Sequence, residues 1–151
     1  METLPFIIER TFTASVKNVW QAITSKDAMK QWYFEIAEFK PEVGFEFQFS
    51  AQGKKGELYL HHCKVMEVVK EKKLKYSWRY DGYEGNSFVT FELFPEGDKT
   101  RLILTHEGIE TFPVTANNIF AKENFAEGWT YIIGTALKEY EIGRASCRER
   151  V

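Results

Sequence analysis

Two short segments carry large rings at every second position: Phe45, Phe47 and Phe49 in one, Tyr76, Trp78 and Tyr80 in the other. A period of two is what a strand shows when one face is buried, so both rows read as β-strands that turn their rings to one side. Near the C-terminus, Phe125 and Trp129 answer them from a helical stripe that continues through Ile132, Ile133, Ala136, Leu137 and Tyr140. Such a chain must fold into a sheet whose aromatic face is covered by that helix. With 13 Phe, 7 Tyr and 4 Trp, each large ring able to bury about 150–250 Å², the rings either interlock as a core or enclose a guest.

At 151 residues, 44% hydrophobic and 28% charged, the chain suits one globular domain. A net charge of -2 without a lysine and arginine cluster excludes a phosphate-binding footprint, so no nucleic-acid partner is expected. No segment approaches about 18 uninterrupted apolar residues, and the N-terminus lacks a basic region followed by an apolar run. A cytoplasmic protein without membrane insertion is expected. Cys63 and Cys147 are too few for a disulfide framework.

Phe6 to Thr13 alternates as a first strand, with Ile8, Arg10 and Phe12 sharing a face. Ser15 offers an N-cap to a helix whose Val16, Val19, Trp20 and Ile23 fall at i, i+3, i+4 and i+7. A second short helix starts at Ser25 and turns Ala28, Met29 and Trp32 inward. Strands are expected at Phe45–Phe49, Glu57–Val69, Leu74–Tyr80, Ser87–Leu93 and Thr100–His106, making a meander of about six antiparallel strands after the helical pair. Val68 and Val69 break the alternation and suggest a bulge there. Gln52 to Lys55 reads as a hairpin turn, Pro95 and Gly97 as another, and Gly108 to Asn118 as a connector. The last helix is expected from about Ala121 to Glu141, with Gly128 and Gly134 permitting close backbone approach.

From Ile142 to Val151 the period is lost. These residues resemble the translation of a sequencing adapter, so the expected organisation is one domain over 1–141 and a non-native tail over 142–151. Excluding the tail takes the net charge from -2 to about -4, because three arginines leave with one glutamate.

Strand, two short helices, antiparallel meander and long final helix is the helix-grip order, an α+β fold. The segments ERTFTASVKNVWQAIT, MKQWYF, LKYSWRY, VTFEL, TRLILTHEG and ENFAEGWTYIIGTALKEY resemble the bacterial family homologous to the C-terminal domain of the activator of heat-shock protein 90 ATPase. That family lies within the START-like or Bet v-like (SRPBCC) superfamily, and the likeness spans Phe6 to Tyr140. It implies a curved sheet gripping a long helix with a cavity between them. It does not imply one activity, since superfamily members bind lipids, hormones or polyketides and a minority do chemistry. Eukaryotic relatives stimulate a chaperone ATPase with the help of a separate N-terminal domain. This length leaves no room for that domain, so the resemblance implies that role less strongly.

The expected ligand-binding set is Phe45, Phe47, Trp78, Phe91 and Leu104 from the sheet, facing Phe125, Trp129 and Ile133 from the helix. Trp32 and Phe34 would form the mouth, and His106, beside Leu102 and Leu104, would orient a ligand or serve as a satisfied core histidine. Arg10 would pair with a buried carboxylate or snorkel to solvent. His61 and Cys63 could converge on one strand face but His62 could not, which is too few ligands for zinc, so no metal is expected. No nucleophile elbow, phosphate loop or dinucleotide fingerprint is present, and no cofactor is implied. The expectation is non-catalytic binding of a small hydrophobic molecule. The alternatives are a chaperone-associated interaction module, with a chaperone or a second copy as partner, and a cavity enzyme using His106.

Overall fold

The computed structural model describes residues 5–32, 36, 38–52, 58–112 and 122–137. Strand β1 (Phe6–Phe12) precedes helices α1 (Val16–Thr24) and α2 (Lys26–Trp32). There follow β2 (Glu46–Gln52), β3 (Leu58–Val69), β4 (Lys73–Tyr80), β5 (Ser87–Glu96) and β6 (Lys99–Glu107). A 3₁₀ turn at Ile109–Thr111 leads toward helix α3 (Lys122–Tyr131), which continues as π-helix over Ile132–Leu137. Five strands, rather than six, follow the helical pair. The sixth position in the sheet belongs to β1, which pairs with β6 from Phe6↔His106 to Phe12↔Thr100 and gives the order β1-β6-β5-β4-β3-β2, antiparallel throughout.

Side-chain alternation sorts the strands into two faces. Phe47 and Phe49, Cys63 and Val65, Leu74 to Tyr80 at even positions, Val89 to Leu93 at odd ones, and Leu102 to His106 at even ones are all buried. The helices lie on this face. A bulge in β3 falls between Val65 and Glu67, at Met66, two residues before the expected place. It moves the inward set from odd to even positions, so Val68 packs against the core opposite Leu74 while Val69 is exposed. The double valine is thus a consequence of the bulge rather than its site. Pro95 also stays within β5, opposite Thr100, and the turn is made by Gly97 and Asp98.

Local chemistry sets the helix ends. Ser15 caps α1 by accepting from the Asn18 N–H at 3.2 Å, and Thr100 Oγ1 donates to the buried Ala14 carbonyl at 2.8 Å, fixing where the chain leaves the sheet. Trp32 closes α2 onto α1 by donating from Nε1 to the Ala22 carbonyl at 2.9 Å. Among the described residues of the last helix the buried ones are Phe125, Trp129, Ile133 and Leu137, spaced by four. In an α-helix a spacing of four drifts about 40° round the axis per step. The wider π-helical turn drifts the other way, so the switch at Ile132 keeps all four over the sheet.

Arg10 lies on the inward face of β1 but is exposed, with its guanidinium about 3.5 Å from where a Cβ on Gly134 would stand, and it donates to the Glu9 carbonyl. It snorkels along the helix rather than pairing with a buried carboxylate. Phe34, Tyr140, the β2–β3 turn, most of the Gly108–Asn118 connector and the expected tail lie outside the described residues. Among the described residues no helix is long and apolar enough to cross a membrane.

Gly85 joins the β4–β5 loop to the 3₁₀ turn. It has φ +103°, and a Cβ there would lie 2.5 Å from the Thr111 carbonyl oxygen, whereas Gly82 (φ +81°) faces open space. Both positions strain an L-residue, but only Gly85 also collides with backbone. Gly85→Ala should therefore destabilise the protein by at least about 1 kcal/mol more than Gly82→Ala in urea unfolding. Equal losses would show that the loop can move away from the turn.

Candidate functional site

Where α3 crosses the ends of β4 and β6, two polar side chains, His106 and Ser87, enter the apolar core. His106 has 0% exposure, and both ring nitrogens are engaged. Trp129 Nε1 lies 2.9 Å from His106 Nδ1, and Ser87 Oγ lies 2.8 Å from His106 Nε2 and 2.8 Å from the Trp78 carbonyl oxygen. An indole N–H can only donate, so Nδ1 is the acceptor and the neutral ring carries its hydrogen on Nε2. The chain of donors then runs from Trp129 to His106 to Ser87 to the Trp78 carbonyl, every hydrogen placed. Burial pushes the His106 pKa down to about 3, which keeps the imidazole neutral in this relay. His106 is a tether between helix and sheet, not an exposed acid or base.

Beside the tether is a cavity of about 160 Å³, lined by Trp78 and Tyr80 of β4, by Asn124, Phe125, Gly128 and Trp129 of α3, and by Ile132 at the start of the π-helical turn. Rings build its walls. The Trp78 and Trp129 centroids are 5.5 Å apart, Tyr80 meets Phe112 edge-on at 5.2 Å, and Phe112 stacks on Phe125 at 6.0 Å. Gly128 leaves the space open, since a Cβ there would meet nothing within 4 Å. It serves as a gap rather than a close backbone approach.

The cavity is mostly apolar, with few polar groups. Burial raises the Tyr80 phenol well above its ordinary value, so it stays protonated. The nearby Trp78 N–H works against that rise, yet it meets no acceptor at hydrogen-bonding distance and angle and is shut off from solvent. Asn124 adds an amide at half-buried depth.

Of the residues expected to bind a ligand, Trp78, Phe125 and Trp129 come together at this cavity. Phe47 is instead wedged between Phe39 and Tyr76, each 5.1 Å away and edge-on, and Phe45 leans half-buried on Phe39 at 6.2 Å. Phe91, Leu104 and Ile133 are in solid core, and Trp32, 4% exposed and bonded to Ala22, packs between helices rather than at a mouth. Phe34 lies outside the described residues. Tyr80, Asn124, Gly128 and Ile132 had not been assigned to the site. Tyr80 could have been, since it belongs to the same alternating row as Tyr76 and Trp78.

His61 and Cys63 do share the inward face. His61 stacks on Phe49 at 4.4 Å and lies 3.0 Å by Nδ1 from the Tyr59 carbonyl, with burial lowering its pKa to about 4. Burial raises the Cys63 thiol far above its usual range, which leaves it an apolar filler. Among the described residues no three His, Cys, Asp or Glu side chains gather as a metal site.

Both buried histidines have folded pKa values below the unfolded value of about 6.5. Above pH 6.5 neither state binds the proton. As pH falls below it the unfolded chain takes up protons that the folded one refuses, so stability is full above 6.5 and is lost toward pH 4 for His61 and pH 3 for His106. Unfolding free energies from urea titrations between pH 7 and 4.5 should fall by up to about 1.4 kcal/mol per pH unit per histidine. His106→Gln, which keeps a neutral acceptor and donor, should remove about half of that slope. An unchanged slope would mean that His106 already titrates normally in the folded protein.

The model of the family described as Activator of Hsp90 ATPase homolog 1-like protein matches residues 13–141. Among solved structures, protein MLL2253 from Mesorhizobium loti is 25% identical, with a TM-score of 0.73 over 90% of this chain and 95% of that one. Protein Mll3558 from Rhizobium loti is 24% identical (TM-score 0.76, 90% and 95% covered), and CV1439 from Chromobacterium violaceum is 20% identical (0.76, 91% and 96%). None of the curated proteins matches this chain.

Proposed function

We propose, for a chain that belongs to the Activator of Hsp90 ATPase homolog 1-like family, that its role is to bind a small hydrophobic molecule, without chemistry, in the cavity between β4 and α3. The observation that carries this reading is the gap itself: about 160 Å³ left open among rings at a place where Gly128 withholds a side chain. The space opens partly to solvent beside the exposed Gly128, and its walls are largely apolar. A cavity of this size suits a guest the size of one aromatic ring, and it is smaller than the sheet-wide hollow that the aromatic rows suggested.

Binding would draw on burial, about 0.8 kcal/mol for each methylene removed from water. His106 takes no part in it beyond holding the helix in place. That also weighs against the enzyme reading, which needed a histidine free to exchange protons with a substrate. The chaperone-module reading rests on the family's description.

Toluene is a suitable probe. At ten times its Kd it should raise stability by about 1.4 kcal/mol and alter the fluorescence of Trp78 and Trp129. Gly128→Leu should fill the gap, abolish both effects and keep or raise the melting temperature, because leucine is the better helix former. Toluene binding that survives Gly128→Leu would place the guest elsewhere, and the absence of any binding to the parent protein would sink the reading.

A further inference from the structure

Trp78 is 5% exposed and helps form the cavity wall, yet its Nε1–H has no acceptor. Two other buried indoles are satisfied: Trp32 donates to the Ala22 carbonyl and Trp129 to His106. An orphaned buried donor costs about 1–3 kcal/mol, and no solvent reaches this one to relieve it. The rings around it, His61 at 4.9 Å, Phe49 at 5.5 Å and Tyr80 at 6.4 Å, are weak acceptors, and the Tyr80 hydroxyl stands close to the N–H without meeting hydrogen-bond geometry. The relay beneath it does not relieve it, since neither His106 nor Ser87 is bonded to this N–H.

We propose that the cavity is built for a guest with a hydrogen-bond acceptor oxygen, a carbonyl or ether on a small flat apolar body, which accepts from Trp78 Nε1. The inference rests on the ligand-binding reading and narrows it from hydrophobic molecules in general to aryl ketones, aldehydes and ethers of about one ring. Anions are disfavoured, because none of the wall residues carries a positive charge and the site is largely apolar. Trp78 Nε1 is covered in the free protein, so the acceptor enters as a neighbouring wall ring gives way. Tyr80 is the candidate, being the wall residue whose hydroxyl lies close enough to feel that N–H. The donor is desolvated before the guest arrives. Binding therefore forms the hydrogen bond without stripping water from the protein side, which is the condition under which a single bond discriminates well between guests.

The test compares acetophenone with ethylbenzene, its analogue without the carbonyl oxygen, on the full chain and on Trp78→Phe. Trp78→Phe should weaken acetophenone about five- to tenfold and leave ethylbenzene within about twofold. Equal weakening of both, or of neither, overturns the inference while leaving the cavity a general apolar site. If neither compound binds the parent protein, the ligand-binding reading fails and this inference with it. Should Trp78→Phe not fold, ¹H–¹⁵N spectra of the parent protein decide the matter. Acetophenone, and not ethylbenzene, should move the Trp78 indole proton downfield, and an unmoved resonance at saturation contradicts the proposal.

Discussion

The last helix is held to the sheet by a line of three side chains and one carbonyl: Trp129, His106, Ser87 and the backbone of Trp78. Each bond adds only about 1 kcal/mol net. The line acts chiefly through what its absence would cost, since a buried indole N–H or imidazole left without a partner would lose more than its bond had gained. It joins α3 to β6, β5 and β4 at one point, and every donor in it has one acceptor. The helix can therefore neither roll nor slide at Trp129 without orphaning a group. The neutral state of His106, enforced by burial, is part of the same constraint, because a charged ring would have to donate from both nitrogens and Trp129 cannot accept.

On one side of that tether the rings close up. Phe39, Phe47, Tyr76 and Phe91 follow one another at 5.1 to 6.1 Å, mostly edge-on, and Phe91 reaches Trp129 at 6.3 Å. Edge-on contacts of this kind add about 1 kcal/mol each beyond burial. On the other side the first turns of α3 carry Asn124 and Gly128 where a larger apolar residue would continue the packing. The helix, fixed at Trp129, cannot settle onto Tyr80 to close the difference, and the cavity is what remains.

Much of this architecture was visible in the order of residues. The alternation of Phe45 to Phe49 and of Tyr76 to Tyr80 gave face and element together, Ser15 marked the start of α1, and the resemblance to a helix-grip family supplied the pairing order. Other features were not visible, for physical reasons. Alternation reports which way a side chain points but not how far away its opposite number lies, so Phe47 and Phe91 looked as suitable for a ligand as Trp78. Two valines in a row at Val68 signalled a change of face, but the bulge that produced it sits at Met66, whose own side chain points outward. The spacing of four from Phe125 to Leu137 was compatible with an α-helical stripe and became evidence of a π-helical turn only when the backbone was seen. A glycine that costs a helix stability suggests close approach, whereas at Gly128 the backbone stands apart from its neighbours.

The account's central claim is that, among the described residues, a small space stands open beside the tether while the rings around Phe47 and Tyr76 pack against one another. Isotope-filtered NOE spectra of the labelled protein with toluene test it most directly, because they report which protons touch the guest. The account predicts contacts to Trp78, Phe125, Gly128 and Ile132 and none to Phe47 or Tyr76. Contacts reaching Phe47 and Tyr76 would reveal a hollow running the length of the sheet, and would contradict the packing described here.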